Sequence, residues 1–191
     1  MKRFLAILLT TLALSFSLSA QEHSRRPPAT APARPTPTPV PADNGGWVRY
    51  NSVSGRFSVL MPSTPEEKTE TTESDHGPYT THLFVVRDTT NVYLIGWVDY
   101  DPSFNFNRQA ELEANRDNFV KGINATLTSS RALTLDGYPA LEFTAEAGDR
   151  TFQSRVYMVG RRPYQIVIGY PKDDPDAVAR NRFFESFKVS L

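Results

Sequence analysis

Three histidines and a few groups of carboxylates are the first places to look for reactive chemistry in this chain, which contains no cysteine. The missing thiols remove disulfides, thiolate metal sites and thiol nucleophiles together. His23 falls in a proline-rich stretch, His76 in a turn and His82 on a strand pattern. A Ser-His-Asp site would need His76 or His82 beside a presented serine, and no Gly-x-Ser-x-Gly elbow is there to present one. The plain reading is a polar turn histidine and a strand histidine. Among the acids, Asp99-Tyr100-Asp101 begins like a calcium loop. Its sixth position is Phe104, where glycine is needed, and its twelfth is Ala110, where glutamate is needed. That motif fails; these acids read more simply as capping a helix and solvating a turn. Asp173, Asp174 and Asp176 read as a helix start in the same way.

No His-x-x-x-His pair points to zinc, and no glycine-rich phosphate loop is present. Glu142 and Glu146 could be imagined as a glycosidase pair. On one face of a strand they would stand about 13 Å apart at roughly 3.3 Å per residue, too far for either hydrolase geometry. The expectation is a non-enzymatic chain with no cofactor and no metal. Arg161-Arg162 at a hairpin tip form a compact positive point suited to an acidic partner or a carboxylate, and they are the candidate partner-binding residues. The alternative for them is a solvated turn.

Lys plus Arg and Asp plus Glu each number 21, so the 191-residue chain has zero formal net charge. No basic stripe speaks for nucleic acid, and no basic amphipathic helix for a membrane surface. Residues 1–20 have the plan of a secretory signal: Lys2 and Arg3, an apolar core from Leu5 to Leu14, then small residues ending at Ala20. Retained, that core would anchor the chain, but it is short for a span of about 20 residues. The expected location is exported, periplasmic or secreted, with no integral membrane segment after cleavage. Residues 21–45 hold seven of the fifteen prolines and read as a disordered, extended spacer. Residues 46–191 then form a single domain, long enough to bury roughly 70% of its unfolded surface.

The elements that must position the candidates follow from hydrophobic period. Asp136-Gly137 between alternating runs signals a two-residue hairpin. Gly148-Asp149 and Gly160-Arg161-Arg162-Pro163 supply the next two turns, giving a four-strand meander from Leu127 to Tyr170. Earlier, Arg56–Met61 reads as a strand, Glu67–Ser74 as an exposed strand near an edge, and Tyr79–Arg87 with Asn91–Tyr100 as a hairpin. Val92 to Val98 is almost continuously apolar and should be central. The clearest helix runs over Asn107–Gly122, with Leu112, the Arg116 stem, Phe119, Val120 and Ile123 on one face and Glu111, Glu113 and Asp117 away from it. A second opens at Asp174-Pro175-Asp176, with Ala179, Phe183 and Phe187 on one face. The junctions Gly96–Pro102 and Gly169–Pro175 look alike, a faint sign of internal symmetry. The fold class is α+β: a largely antiparallel β-sheet flanked by two helices.

Gly55-Arg-Phe-Ser-Val-Leu-Met-Pro62, Gly137-Tyr-Pro-Ala-Leu-Glu-Phe143, Arg155-Val-Tyr-Met-Val-Gly160, Tyr164-Gln-Ile-Val-Ile168 and Phe184-Glu-Ser-Phe-Lys-Val189, in this element order, resemble the α/β/α sandwich of PsbP-like and Mog1-like proteins. The resemblance covers about residues 47–191. It implies a mostly non-catalytic protein that binds a protein assembly or acts as an exchange or release factor, and it carries no residue signature for either role. Three functions are therefore weighed. The first is an exported module that binds a protein partner at the cell envelope. The second is a small-molecule or lipid carrier with a pocket between sheet and helices, and the third is an unrecognised hydrolase.

Overall fold

The computed structural model describes residues 46–75, 77–105, 107–174 and 177–190. The expected signal and spacer (1–45, with His23) lie outside those residues, as do His76, Pro175 and Asp176. Ten strands and two helices follow in the order β1 (Val48–Ser52), β2 (Phe57–Met61), β3 (Glu66–Thr72), β4 (Tyr79–Arg87), β5 (Val92–Tyr100), α1 (Arg108–Gly122), β6 (Thr126–Leu135), β7 (Tyr138–Ala147), β8 (Arg150–Val159), β9 (Arg162–Pro171), α2 (Ala177–Ser186) and β10 (Lys188–Val189).

Seven strands form one antiparallel sheet in the order β3-β4-β5-β9-β8-β7-β6. Two-residue turns set the register of its second half. Asp136 and Gly137 both take positive φ, 52° and 83°, the backbone that a tight hairpin of this hand needs. Leu135 pairs with Tyr138, Ala147 with Arg150 and Val159 with Arg162 across the three turns. The expected edge strand is β3, and its Glu66, Glu67, Lys68 and Glu70 are all exposed.

β5 and β9 lie at the middle of the sheet, and residues 92–98 and 166–168 read almost continuously apolar because both of their faces are covered. On one face Tyr93, Ile95, Trp97, Ile166 and Ile168 meet β2 and the phenylalanines around α2. On the other, Val92, Leu94 and Val167 meet Leu112 and Phe119 of α1. The first face also carries a small second sheet, β1-β2-β10, which the alternation of the sequence did not separate from the main one. Phe57 of β2 is its wedge. The Phe57 ring centroid lies 5.5–6.5 Å from those of Tyr50, Phe84, Trp97, Tyr164 and Phe187. Burying one such side chain contributes about 1.5–3 kcal/mol.

Two expectations change. Glu111 is buried, not turned to solvent, and Asn115 is buried beside it; Arg116 is only partly covered. A helical period counts apolar residues and misses carboxyls that find donors inside. The suggested internal symmetry also fails as a duplication. Antiparallel neighbours β5 and β9 would be related by a two-fold axis normal to the sheet, which leaves both helices on one face. Here α1 and α2 pack on opposite faces.

Candidate functional site

At one end of the sandwich the turn after β1, the end of β5, the β8–β9 turn and the residues after β10 surround an open cleft of about 360 Å³. Among the described residues, Arg56, Arg161 and Arg162 line it together with the carboxylate of Asp99. Val98, Pro102, Val159 and Val189 form apolar parts of the wall, with Tyr100 and Tyr164 beside them.

The two candidate arginines are placed differently. Arg161 belongs to the turn itself; its Nη2 donates to the backbone oxygens of Asp101 (3.2 Å) and Phe104 (2.6 Å). Those carbonyls fix the guanidinium, and the exposed Asp101 carboxylate feels its charge. Arg162 is already the first residue of β9 and is partly buried, so it is not part of the tip. Its Nε and Nη2 reach Asp99 Oδ1 at 2.7 and 2.5 Å, and its Nη1 donates to the Ser54 carbonyl at 3.0 Å. The same guanidinium lies 5.9 Å from the ring centre of Trp97, which is 1% exposed. Strand pairing explains the split: Val159 faces Arg162 across the hairpin, so residue 162 is pinned to the sheet while 161 stays in the turn.

Asp99 ends a polar row. Its Oδ2 stands 3.4 Å from His82 Nε2, and His82 Nδ1 stands 3.3 Å from Thr69 Oγ1. The His82 ring stacks on Trp97, with centroids 4.4 Å apart and planes 7° apart. Burial lowers the His82 pKa; Asp99 and Glu67 pull it up and Arg162 pushes it down. The imidazole is therefore neutral at pH 7. Thr69, His82 and Asp99 have the composition of a hydrolase triad, yet both contacts exceed the roughly 2.6–3.2 Å reach of an engaged pair. Asp99 is meanwhile held by Arg162. Of the three, Asp99 lines the cleft.

The acids singled out from sequence go to separate tasks. Asp101 Oδ1 accepts from Ser103 N at 2.9 Å and from Ser103 Oγ at 2.6 Å, and those bonds hold its pKa below the usual carboxylate range. Asp174 pairs with Arg180 at 3.5 Å, Glu146 with Lys172 at 2.7 Å, and Glu142 with Arg131 and Arg155. Among the described residues no three His, Asp or Glu side chains converge as metal ligands.

Sequence reading missed Arg56 as a site residue. It follows the Asn51–Gly55 turn, where an arginine looks like any solvated turn residue. Its backbone is in the left-handed region at φ 51°, uncommon for a residue with a Cβ. Gly55 is required just before it: a Cβ there would meet Phe57 Cε1 at 2.5 Å and Ser52 Oγ at 2.7 Å. Tyr164 Oη donates to the Gly55 carbonyl at 2.9 Å, and Ser190 N to the Arg56 carbonyl at 2.7 Å. Neighbouring Val53 is 92% exposed.

No family model and no curated protein matches the chain. Among solved structures it is similar to the cyanobacterial PsbP (CyanoP) of Synechocystis sp. PCC 6803. That likeness has a TM-score of 0.51 and 16% identity, over 78% of this chain and 98% of that one. A structure from Bacteroides thetaiotaomicron overlaps at a TM-score of 0.36 and 15% identity, over 75% of this chain and 48% of that one, too little to bear on the fold. Sheet order, flanking helices and the solution structure of CyanoP together make this an α+β domain of PsbP-like fold.

Proposed function

We propose that this domain is an exported, non-enzymatic module that binds a protein partner at the cell envelope through the arginine-lined cleft. The observation that carries the reading is the way the cleft is preset. Its walls come from four parts of the chain and are locked by the Arg162–Asp99 pair, the Tyr164–Gly55 bond and the Ser190–Arg56 bond. A rigid surface loses less conformational entropy on association, and its charge steers an encounter. Export is supported by the pattern of residues 1–20, and the role as a module by the non-catalytic character of the folds the sequence resembles. Between the layers, the rings of Phe57, Phe84, Trp97, Tyr164 and Phe187 fill the space a carrier would need, which favours a module over a carrier.

The test is affinity capture from the cell's own envelope extract, with a tag placed inside residues 21–45 of the full chain. The expected result is one saturable protein partner that is lost on Arg161→Glu. Capture of no saturable partner sinks the module reading. Capture that survives Arg161→Glu removes the turn from the interface.

A further inference from the structure

Among the described residues, Arg56, Arg161 and Arg162 set three guanidinium groups around one small cleft whose lining carboxylate is Asp99. Arg162 is already engaged internally: Asp99 takes its Nε and Nη2, and the Ser54 carbonyl and Tyr164 hydroxyl take its Nη1. Arg161 is pinned on two carbonyls, which set its position, and the Asp101 carboxylate lies within its field. Arg56 is exposed, and its guanidinium makes no hydrogen bond or ion pair among the described residues. It is also the cleft residue whose backbone is held in an unfavoured conformation, at φ 51°. A left-handed residue with a side chain costs about 1–2 kcal/mol relative to glycine or asparagine, and such strain collects where a side chain must be aimed.

We propose that this cleft captures a carboxylate on a short aliphatic stem, an aspartate or glutamate side chain of a partner polypeptide, with Arg56 as the group that grips it and Arg161 as the second charge. The inference rests on the partner-binding reading above and adds the chemistry recognised. Complementary charge is the first argument, since among the described residues three arginines line the cleft and two carboxylates, Asp99 and the Asp101 beside Arg161, answer them. The second is the Arg162–Asp99 pair, in which a carboxylate on a one-carbon stem is already seated at the same wall. The third is the apolar part of that wall, Val98, Pro102, Val159 and Val189, which suits the methylenes of an acidic side chain better than a bare inorganic anion. Val53, almost wholly exposed beside Arg56, offers an apolar contact for the residue next to the acid.

Fluorescence anisotropy on the full chain decides it, with a labelled Gly-Leu-Glu-Glu-Leu-Gly peptide and its Gln-Gln and phosphoserine counterparts. The glutamate peptide is expected to bind at least tenfold more tightly than the glutamine peptide, and the difference should shrink from 50 to 300 mM salt as screening shortens. Arg56→Glu should abolish the difference. Arg56→Asn, which suits the left-handed backbone and keeps the fold, should reduce it at least fivefold. Lys121→Glu, in the last turn of α1 on the opposite face, should leave it unchanged. Equal binding of the two peptides overturns the proposal, and so does an unaltered difference in Arg56→Asn. Tighter binding of the phosphoserine peptide, or displacement of the glutamate peptide by equimolar inorganic phosphate, overturns the carboxylate assignment. Peptide discrimination without a captured envelope protein would keep the carboxylate site and end the module reading. A partner retained by Arg56→Glu would do the reverse.

Discussion

Glu111 and Glu142 lie over opposite faces of the seven-stranded sheet, both largely out of water, and their carboxyls respond in opposite directions. Glu111, 5% exposed on α1, accepts from the Tyr100 hydroxyl at 2.6 Å and from Asn115 Nδ2 at 3.0 Å. Its donors are neutral. Burial raises its pKa, and the two hydrogen bonds only soften the rise. Glu142, with 11% of its side chain exposed, sits between Arg131 at 2.5 Å and Arg155 at 2.7 Å. Burial pushes it up too, but the hydrogen bonds and charges of the arginines outweigh that and hold it below the usual carboxylate range. The lesson is that burial alone does not decide the sign of a shift; the charge of the partner does.

Breaking the charged side should have the largest effect. Arg155 is packed between Glu142, the Phe184 ring at 4.7 Å and Glu185 at 3.8 Å. Arg155→Met should lower stability by about 2 kcal/mol at pH 7, since it leaves a mostly buried carboxylate with only the exposed Arg131 as its partner. Because the folded pKa of Glu142 is depressed, its contribution is complete above the ordinary carboxylate pKa and is lost as pH falls through the folded value. The cost of Arg155→Met should therefore shrink in acid. Urea unfolding at pH 7 and pH 3 checks both parts, and an equal cost at the two pH values would mean that lost packing, not lost pairing, explains it.

Tyr100→Phe comes next. It removes the donor closest to Glu111 and should cost about 1 kcal/mol at pH 7, with the Glu111 carboxyl pushed higher still. A carbon-detected NMR titration of the glutamate carboxyls follows that directly; a Glu111 midpoint that stays put or falls would remove Tyr100 as its stabilising donor.

Glu111→Gln should be the mildest, within about 0.5 kcal/mol of the parent at pH 7, because an amide oxygen accepts the same two bonds without a buried charge. A raised folded pKa penalises the charged form, so through this group stability rises as pH falls from the folded value toward the ordinary one. Glu111→Gln should erase that rise while leaving the acid loss due to Glu142. Thermal unfolding from pH 8 to pH 4 measures it, and an unchanged profile would show that Glu111 is charged in the fold without penalty.

Much of the architecture was legible because period and turn chemistry are local. Asp136-Gly137 needs positive φ wherever it lies, and the apolar run from Val92 to Val98 needs cover on both faces. The helix over Arg108–Gly122 was readable from Asn107, whose side chain accepts from Gln109 and Ala110 N. The site was less legible. Arg161 and Arg162 stood out as a pair of adjacent charges, yet pairing within the sheet sends one to the turn and the other to Asp99. Arg56 carried no signal beyond a turn, because its place in the cleft is set by the Tyr164 bond to the Gly55 carbonyl and the Ser190 bond to its own, from residues more than a hundred positions away.

The sequence by itself determined what depends on composition and on neighbours along the chain: the absence of thiol chemistry, the hairpins and the two helices. Only the tertiary structure decided that β1, β2 and β10 leave the main sheet to close one of its faces, and that α1 closes the other. It likewise decided that Glu111 faces inward to a tyrosine while Glu142 faces two arginines, and that Arg56 joins Arg161 and Arg162. The reason is physical. A backbone preference or a hydrophobic period is set within a few residues, whereas the partner of a buried charge comes from whichever segment packing brings alongside.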